Sequence, residues 1–249
     1  MMLSGEEIEV YVFPFKNLAP DRMNDTITAT LHADFGGEDY ESNCVNYSVA
    51  TYCYNQLKKC TEKTALATVC VDLLNYGAAA QEYTGHNIEA LANAALTEAQ
   101  KAWETQNDRA LTNVTGKEND PETALAAWKS AALKLRDDIT VEMKFAAENI
   151  DGLYVEVEMY GRKFRVDEFG YDETYGWYVV EFNKFSATHM SEDIRATVRD
   201  SEGNAVSSTL IYSVESYAAS KQNLEGIGKL VKTMMKYGDA AIAYAESLK

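Results

Sequence analysis

This sequence has little positive charge and no long apolar run. Its 249 residues contain 23 Lys and Arg against 39 Asp and Glu, a formal net charge of −16. A chain this acidic repels phosphate backbones and anionic bilayer surfaces, which excludes nucleic acid as a partner. No apolar run reaches the roughly 20 residues that cross a membrane, and residues 1–7 have neither the basic nor the apolar region of a signal peptide.

Histidine and the usual catalytic motifs are equally scarce. The three histidines, His32, His86 and His189, are scattered along the chain, which disfavours a catalytic triad or a metal-binding histidine pair. No phosphate loop, dinucleotide fingerprint or nucleophile elbow occurs. The sequence therefore predicts a protein that is not an enzyme, with no catalytic residues, no metal site and no cofactor.

Cysteine is confined to the first half of the chain, at Cys44, Cys53, Cys60 and Cys70. The absence of a Cys-x-x-Cys pair disfavours zinc. The second half has other residues at the matching positions, so the fold does not depend on disulfides. We interpret the cysteines as small apolar packing groups, because free thiols are often buried.

What the chain does have is an internal repeat. Residues 47–52 read YSVATY and residues 212–217 read YSVESY. Residues 75–83 read NYGAAAQEY and residues 236–244 read KYGDAAIAY. Upstream of both pairs, residues 11–30 match residues 178–197. Three matching blocks in the same order predict two copies of one module, and so long a period is typical of tandem domains and not of a solenoid.

Within each copy the apolar period changes from two residues to that of a helix. Residues 139–145 and 153–160 alternate apolar and polar side chains, as half-buried strands do. After the YSV block, apolar residues recur at helical spacing. The fold class predicted is α+β, with an antiparallel sheet or sandwich followed by a two-helix element in each module. The apolar helix faces predict burial of Leu73, Leu74, Met234 and Met235.

The copies are unequal in length. We predict an incomplete first module at residues 1–112 and a complete second module at residues 113–249, with a polar boundary loop over 105–121. The Ala-rich stretch 88–103 predicts a helix. The expected strands near 11–15 and 27–31 lack the partners that the second copy has. We expect them to pack within the chain, which favours a monomer over a dimer.

The repeated blocks carry a resemblance to a known group of proteins. Residues 47–52, 73–80, 128–133, 212–217 and 234–241 resemble the repeated modules of large secreted or cell-surface proteins of anaerobic gut Firmicutes. The resemblance implies a β-rich unit ending in helices and an extracellular or cell-surface location. It implies adhesion, spacing or ligand display and supplies no catalytic or binding residues.

One segment combines aromatic rings with carboxylates in a turn region. We predict ligand binding by Tyr171, Asp172, Glu173, Tyr175 and Trp177, because exposed rings stack on sugars while carboxylates hydrogen-bond to their hydroxyls. The alternative is a solvated hairpin whose rings fold into the core. Residues 34–39 and 200–204 offer oxygen ligands for calcium, although their spacing is not that of an EF-hand and ordinary turns explain them.

These observations favour a non-catalytic extracellular module of a surface or secreted protein. Its partner would be a glycan or another surface protein. The alternative function is a carbohydrate-binding module of a polysaccharide-degrading system, and an enzyme is the third possibility.

Overall fold

The computed structural model describes residues 2–3, 6–7, 12, 14–15, 18–106, 109–135, 138–183 and 186–249. Over these residues the fold is mixed α+β, with several antiparallel sheets and five α-helices. The helices are α1 (Val49–Leu57), α2 (Ala65–Thr84), α3 (Glu98–Lys101), α4 (Val214–Lys221) and α5 (Ile227–Ser247). Two 3-10 turns cover Pro20–Arg22 and Ala187–His189. No described helix combines the length and apolarity that crossing a membrane requires.

The strands fall into short pairs in the first half and two larger sheets in the second. The early strands are β1 (Met2–Leu3), β2 (Glu6–Glu7), β3 (Ile27–Ala29), β4 (His32–Phe35), β5 (Glu38–Glu41) and β6 (Val45–Tyr47). The later strands are β7 (Gly116–Glu118), β8 (Ala126–Leu135), β9 (Ile139–Ala147), β10 (Tyr154–Met159), β11 (Arg162–Val166), β12 (Gly170–Asp172), β13 (Trp177–Phe182), β14 (Ile194–Arg199) and β15 (Thr209–Tyr212).

The later strands form a two-layer sandwich. One sheet has the order β11-β10-β14-β15-β7 and the other the order β12-β13-β9-β8. Their alternating apolar residues share one core, in which Phe145 of β9 and Val157 of β10 are fully buried. Phe164 of β11 meets Phe182 of β13 with ring centroids 5.3 Å apart, which joins the two layers directly. The predicted strands at 139–145 and 153–160 are thus confirmed.

Helices α2 and α5 pack against each other in opposite directions. Tyr76 of α2 stacks on Tyr237 of α5 with centroids 6.1 Å apart. Glu82, near the end of α2, pairs with Lys229, near the start of α5. The expected apolar faces are largely confirmed by the burial of Leu74, Met234 and Met235, whereas Leu73 is only half-buried.

The two short strand pairs β3–β6 and β14–β15 have the same antiparallel register. Ile27 lies opposite Tyr47 in the first pair, and Ile194 lies opposite Tyr212 in the second. The matching residues of the repeated blocks therefore occupy matching positions in the two ladders.

The YSV blocks begin helices in the same way. The Ser48 hydroxyl accepts a hydrogen bond from the Thr51 amide at 3.0 Å, and the Ser213 hydroxyl accepts one from the Ser216 amide at 2.9 Å. A serine side chain in this position satisfies an amide that has no partner inside the helix. The serine thus explains why each tyrosine strand ends where a helix begins.

The glycines of the repeated Tyr-Gly pairs lie where another segment approaches each long helix closely. A Cβ atom added at Gly77 would lie 2.8 Å from the Met23 sulphur and 3.3 Å from a carbonyl oxygen of the first 3-10 turn. A Cβ atom added at Gly238 would lie 3.3 Å from the Met190 sulphur and 3.2 Å from a carbonyl oxygen of the second 3-10 turn. Each 3-10 turn packs on its helix because the helix has no side chain there.

Gly77→Val and Gly238→Val are each expected to lower the free energy of unfolding by about 1–3 kcal/mol, because a branched side chain overpacks a filled contact. Chemical denaturation measures the loss. Ala243→Val, at an exposed position of α5, is the control for the lower helix propensity of valine. A loss at one glycine without a loss at the other would contradict the equivalence of the two contacts.

The interpretation of the cysteines as packing groups is confirmed for Cys53 and Cys70 and is wrong for the exposed Cys44. Cys53 of α1 and Cys70 of α2 are almost fully buried, and their matching positions, Ala218 and Val231, are equally buried. The hydrogen bond with the Cys70 thiol, together with burial, raises the pKa of Cys53. All four cysteines are free, and Cys44 is exposed.

The helix predicted over the Ala-rich stretch 88–103 is wrong except at α3. The rest is a chain of turns, held by the buried side chain of Gln81. The Gln81 amide nitrogen donates to the carbonyl oxygens of Asn87 and Ala90, and its oxygen accepts from the Ala92 amide at 2.7 Å. These bonds satisfy backbone groups that a helix would otherwise pair internally.

The polar stretch 105–121 is tied to the second half of the chain. Asn107 and Asp108 lie outside the described residues. Arg109 donates to the carboxylates of Glu215 and Asp239, and the Thr112 amide donates to Glu215 at 2.8 Å. Strand β7 then joins β15. Residues 126–135 form the ten-residue strand β8. The module boundary at residue 112 stays a prediction.

The strand expected near 11–15 lies partly outside the described residues, at Tyr11 and Phe13. Val12 and Phe15 are described as exposed and not in a strand. The strand expected over 27–31 is the shorter β3. The predicted packing of these strands against the rest of the chain is not found among the described residues. On β6, the strand that pairs with β3, Val45 is 62% and Tyr47 43% exposed.

Candidate ligand-binding surfaces

The segment predicted to bind a ligand is a β-hairpin at the edge of the four-stranded sheet. Strands β12 and β13 pair so that Tyr171 lies opposite Tyr178 and Asp172 opposite Trp177. The Asp172 carbonyl oxygen accepts a hydrogen bond from the Gly176 amide at 2.8 Å, which closes the turn. Gly176 has φ +68°, a conformation that glycine adopts without strain.

Tyr171 lies on the core-facing side of this hairpin. Its ring is 5.2 Å from that of Tyr178, which in turn lies 5.6 Å from the fully buried ring of Phe145. Tyr171 nevertheless remains 57% exposed, because it lies at the rim of the sandwich. The Tyr171 ring therefore lies on the opposite face of the hairpin from Trp177, although its hydroxyl reaches the turn, 3.5 Å from where a Cβ atom of Gly176 would lie.

Tyr175 and Trp177 form an aromatic platform on the outer side of the sheet. Their rings stack with centroids 4.8 Å apart and planes inclined by 21°. Tyr175 is 62% exposed, and Trp177 is half-buried. Because Asp172 is the strand partner of Trp177, the platform stands beside a carboxylate, while Glu173 lies exposed in the turn.

A row of charges continues from the platform across the outer face. Lys144 of β9 donates to the Asp172 carboxylate at 2.7 Å and lies 3.4 Å from Glu142. Glu142 also pairs with Lys134, which reaches Glu181 on β13. The hydrogen bond from Lys144 holds the pKa of Asp172 below its ordinary value. Asp172 is therefore ionised at neutral pH. One of its oxygens accepts from Lys144 and the other from the Thr174 amide at 3.1 Å, which leaves the remaining lone pairs for a ligand.

In the two turns considered for calcium, the aspartate carboxylates accept hydrogen bonds from backbone amides of the same turn. The Asp200 carboxylate accepts hydrogen bonds from the Asn204 and Glu202 amides at 2.8 and 3.0 Å. The Asp34 carboxylate accepts one from the Gly37 amide at 2.9 Å. Within the described ranges, no group of three or more His, Cys, Asp or Glu side chains is placed to hold a metal ion.

Sequence reasoning missed a polar cleft of about 780 Å³ beside the α2–α5 pair. Three lysines of α5, Lys229, Lys232 and Lys236, line one wall, and Asp72 and Glu104 lie opposite. Their spacing along one face of α5 is the only signal in the sequence, because the opposite wall comes from distant segments. Lys236 lies 3.8 Å from Glu104, and Lys229 is paired with Glu82 outside the cleft lining.

Asp72 is the buried acid of this cleft, with 1% of its surface exposed. Burial raises its pKa, although hydrogen bonds from the Thr105 hydroxyl at 2.5 Å and the Thr105 amide at 3.2 Å oppose the change. Through these hydrogen bonds the Asp72 carboxylate holds the loop after α3 against α2. Asp72 therefore serves the structure of the cleft wall, and the lysines are the groups that a solute meets.

The two surfaces differ in what they present to a ligand. The hairpin presents the stacked pair of Tyr175 and Trp177, of which Tyr175 is the exposed ring, beside the Asp172–Lys144 ion pair. The cleft is concave and polar, and among its lining residues the acids and lysines largely balance. Comparisons with protein-family models, with curated proteins and with solved structures find no match to this chain.

Proposed function

We propose that the chain is a non-catalytic, extracellular binding protein that attaches to a glycan through the aromatic platform. The observation that carries the proposal is the stacked pair of Tyr175 and Trp177 beside the Asp172–Lys144 ion pair. The C–H face of a pyranose packs on an aromatic ring, and its hydroxyls bind to charged acceptors and donors at the rim. The platform supplies both kinds of contact on a rigid sheet.

Adhesion or ligand display fits this geometry better than catalysis. The acids beside the platform are engaged with lysines, and the low pKa of Asp172 is unsuited to a general acid at neutral pH. The resemblance to secreted and cell-surface modules supports the extracellular location. A carbohydrate-binding module of a polysaccharide-degrading system would use the same platform and remains the alternative.

We further propose that the chain contains two copies of one module. The matching strand registers, serine caps and glycine contacts support this arrangement. Stacking of the matched residues Tyr76 and Tyr237 supports an approximate twofold relation between the long helices.

Tyr175→Ala is expected to reduce glycan affinity by about tenfold or more, because the most exposed ring of the platform is lost. Such a factor corresponds to about 1.4 kcal/mol of binding free energy. A panel of plant and host glycans identifies the ligand, and titration calorimetry with the selected glycan gives the affinity. Asp172→Asn should weaken the same binding by removing the ionised acceptor.

Tyr171→Ala is the matched control, because Tyr171 is equally exposed but lies on the other side of the same hairpin. The control should leave the affinity unchanged. Equal losses in Tyr171→Ala and Tyr175→Ala would mean that the hairpin as a whole matters and not the platform. Absence of binding to every glycan in the panel would rule out the proposed function.

A further inference from the structure

The strand pair β3–β6 has an apolar face that is open to solvent. By strand alternation this face contains Ile27 and Ala29 of β3 and Val45 and Tyr47 of β6. We call these four residues, together with Leu31 two positions after β3, the β3–β6 face. Leu31 is 57% exposed, Val45 62% and Tyr47 43%. Thr28 and Asn46 lie on the other side, where their side chains share a hydrogen bond of 2.7 Å. The pair therefore has a polar side and an uncovered apolar side.

The matching face of β14–β15 is covered. Val198, Leu210 and Tyr212 correspond to Leu31, Val45 and Tyr47, and they are 0%, 4% and 4% exposed. They belong to the sandwich core together with the inward residues of the four-stranded sheet. The same sequence positions are thus core in one strand pair and surface in the other.

The edges of the two strand pairs differ in the same way. Strand β14 is flanked by β10, and β15 is flanked by β7, so that both belong to a five-stranded sheet. Strands β3 and β6 form a sheet of two strands. The strands that flank β14–β15, and the four-stranded sheet that shares its core, come from residues 116–182. The described part of the chain before β3 contains no counterpart of these strands.

We propose that the β3–β6 face is a docking surface for a protein segment built like residues 116–182. That segment would place an apolar antiparallel sheet over the face and add strands at its two edges. The inference rests on the proposed two-copy arrangement, since the second copy shows which surface complements these positions. Apolar patches of this kind on a protein surface mark sites of association, and open edges favour added strands.

The free chain tests whether the face is uncovered. The double variant Val45→Asp with Tyr47→Ser should leave the Tm unchanged and reduce fluorescence of a dye that binds apolar surface. The matched variant Leu210→Asp should prevent folding or sharply lower the Tm. A fall of more than about 4 °C in the double variant would mean that the face is already covered, and would overturn the proposal.

The docking itself is tested by joining a second copy of residues 113–183 to the start of the full chain through a flexible Gly/Ser linker. Hydrogen exchange at residues 27–31 and 45–47 should slow by about tenfold or more. The same fusion with Met143→Asp in the added copy should leave the exchange fast. Unchanged exchange with the unaltered copy would overturn the proposal, whether or not that copy folds.

Other occupants give different results. Light scattering that finds a stable dimer of the unfused chain, with slowed exchange at residues 27–31, would assign the face to a second copy and overturn the proposal. Slow exchange there in a monomer would assign it to the chain's own residues and overturn it equally. The glycan titrations test the proposed binding function, and the Gly77→Val and Gly238→Val variants test the two-copy arrangement. Failure of the docking proposal can therefore be distinguished from failure of the proposed function.

Discussion

Arg109→Met is expected to lower the free energy of unfolding by about 3 kcal/mol, because the change leaves a buried carboxylate without its counter-charge. Glu215 is 5% exposed and accepts hydrogen bonds from the Arg109 guanidinium at 2.5 Å and from the Thr112 amide. The same guanidinium donates to Asp239 of α5 at 2.9 Å. Denaturation at neutral pH measures the loss.

An exposed ion pair provides the control for Arg109. Arg22→Met removes the contact with Asp25, in which the arginine side chain is 54% exposed. Solvent-exposed ion pairs contribute about 0–1 kcal/mol to stability, so the free energy of unfolding of Arg22→Met should stay close to that of the parent. Equal effects of the two substitutions would mean that burial of Glu215 is not what makes Arg109 important.

The effect of Arg109→Met should also depend on pH. Burial raises the pKa of Glu215, but hydrogen bonds from Arg109 and Thr112 outweigh it, so the net pKa is lowered. A lowered pKa means that Glu215 stabilises the fold above its unfolded pKa, and that this contribution is lost as the pH falls through the folded value. The difference in free energy of unfolding between the parent and Arg109→Met should therefore become smaller as the pH falls. A difference that is constant with pH would mean that ionised Glu215 is not the group that Arg109 stabilises.

Leu74→Ala is expected to lower the free energy of unfolding by about 2–5 kcal/mol, since it leaves a cavity in the core between α1 and α2. This core is smaller than the one that the sandwich shares with α5. Leu74 is 0% exposed and packs with Cys53, Leu57 and Val71 between α1 and α2. Met235→Ala removes the matching side chain of α5, which is 2% exposed in the larger core, and should have an effect of similar size. Chemical denaturation with a two-state fit measures both.

Leu224→Ala is the control for these truncations, because Leu224 is 52% exposed. Its stability should stay within about 0.5 kcal/mol of the parent. If Leu74→Ala unfolds at the same denaturant concentration as the parent, the α1–α2 interface is not a core. The loss of stability in Leu73→Ala should lie between those of Leu74→Ala and Leu224→Ala, because Leu73 is half-buried.

Local chemistry explains the elements that the sequence predicted well. Alternation over 139–145 specifies a strand because only one face is buried, and the YSV blocks start helices because each serine satisfies an amide of its own helix. The hairpin at 171–177 forms around a glycine with positive φ. Each of these features depends on residues within a few positions of each other, which a single sequence displays.

The sequence did not reveal features that distant segments create together. The Ala-rich stretch 88–103 suggested a helix, but Gln81 bonds its backbone into turns. The lysine-lined cleft and the Arg109–Glu215–Asp239 cluster join residues that are far apart in the chain. Propensity is a weak preference, and contacts of this kind override it.

The sequence by itself determined the repeated elements, their order and the α+β class of this protein. Only the tertiary structure decided that the Tyr171 ring lies on the opposite face of the hairpin from Trp177, and that the β3–β6 face is open while its counterpart is core. The physical reason is that periodicity shows which side of a strand is apolar. What covers that side depends on packing between elements that the sequence alone does not display.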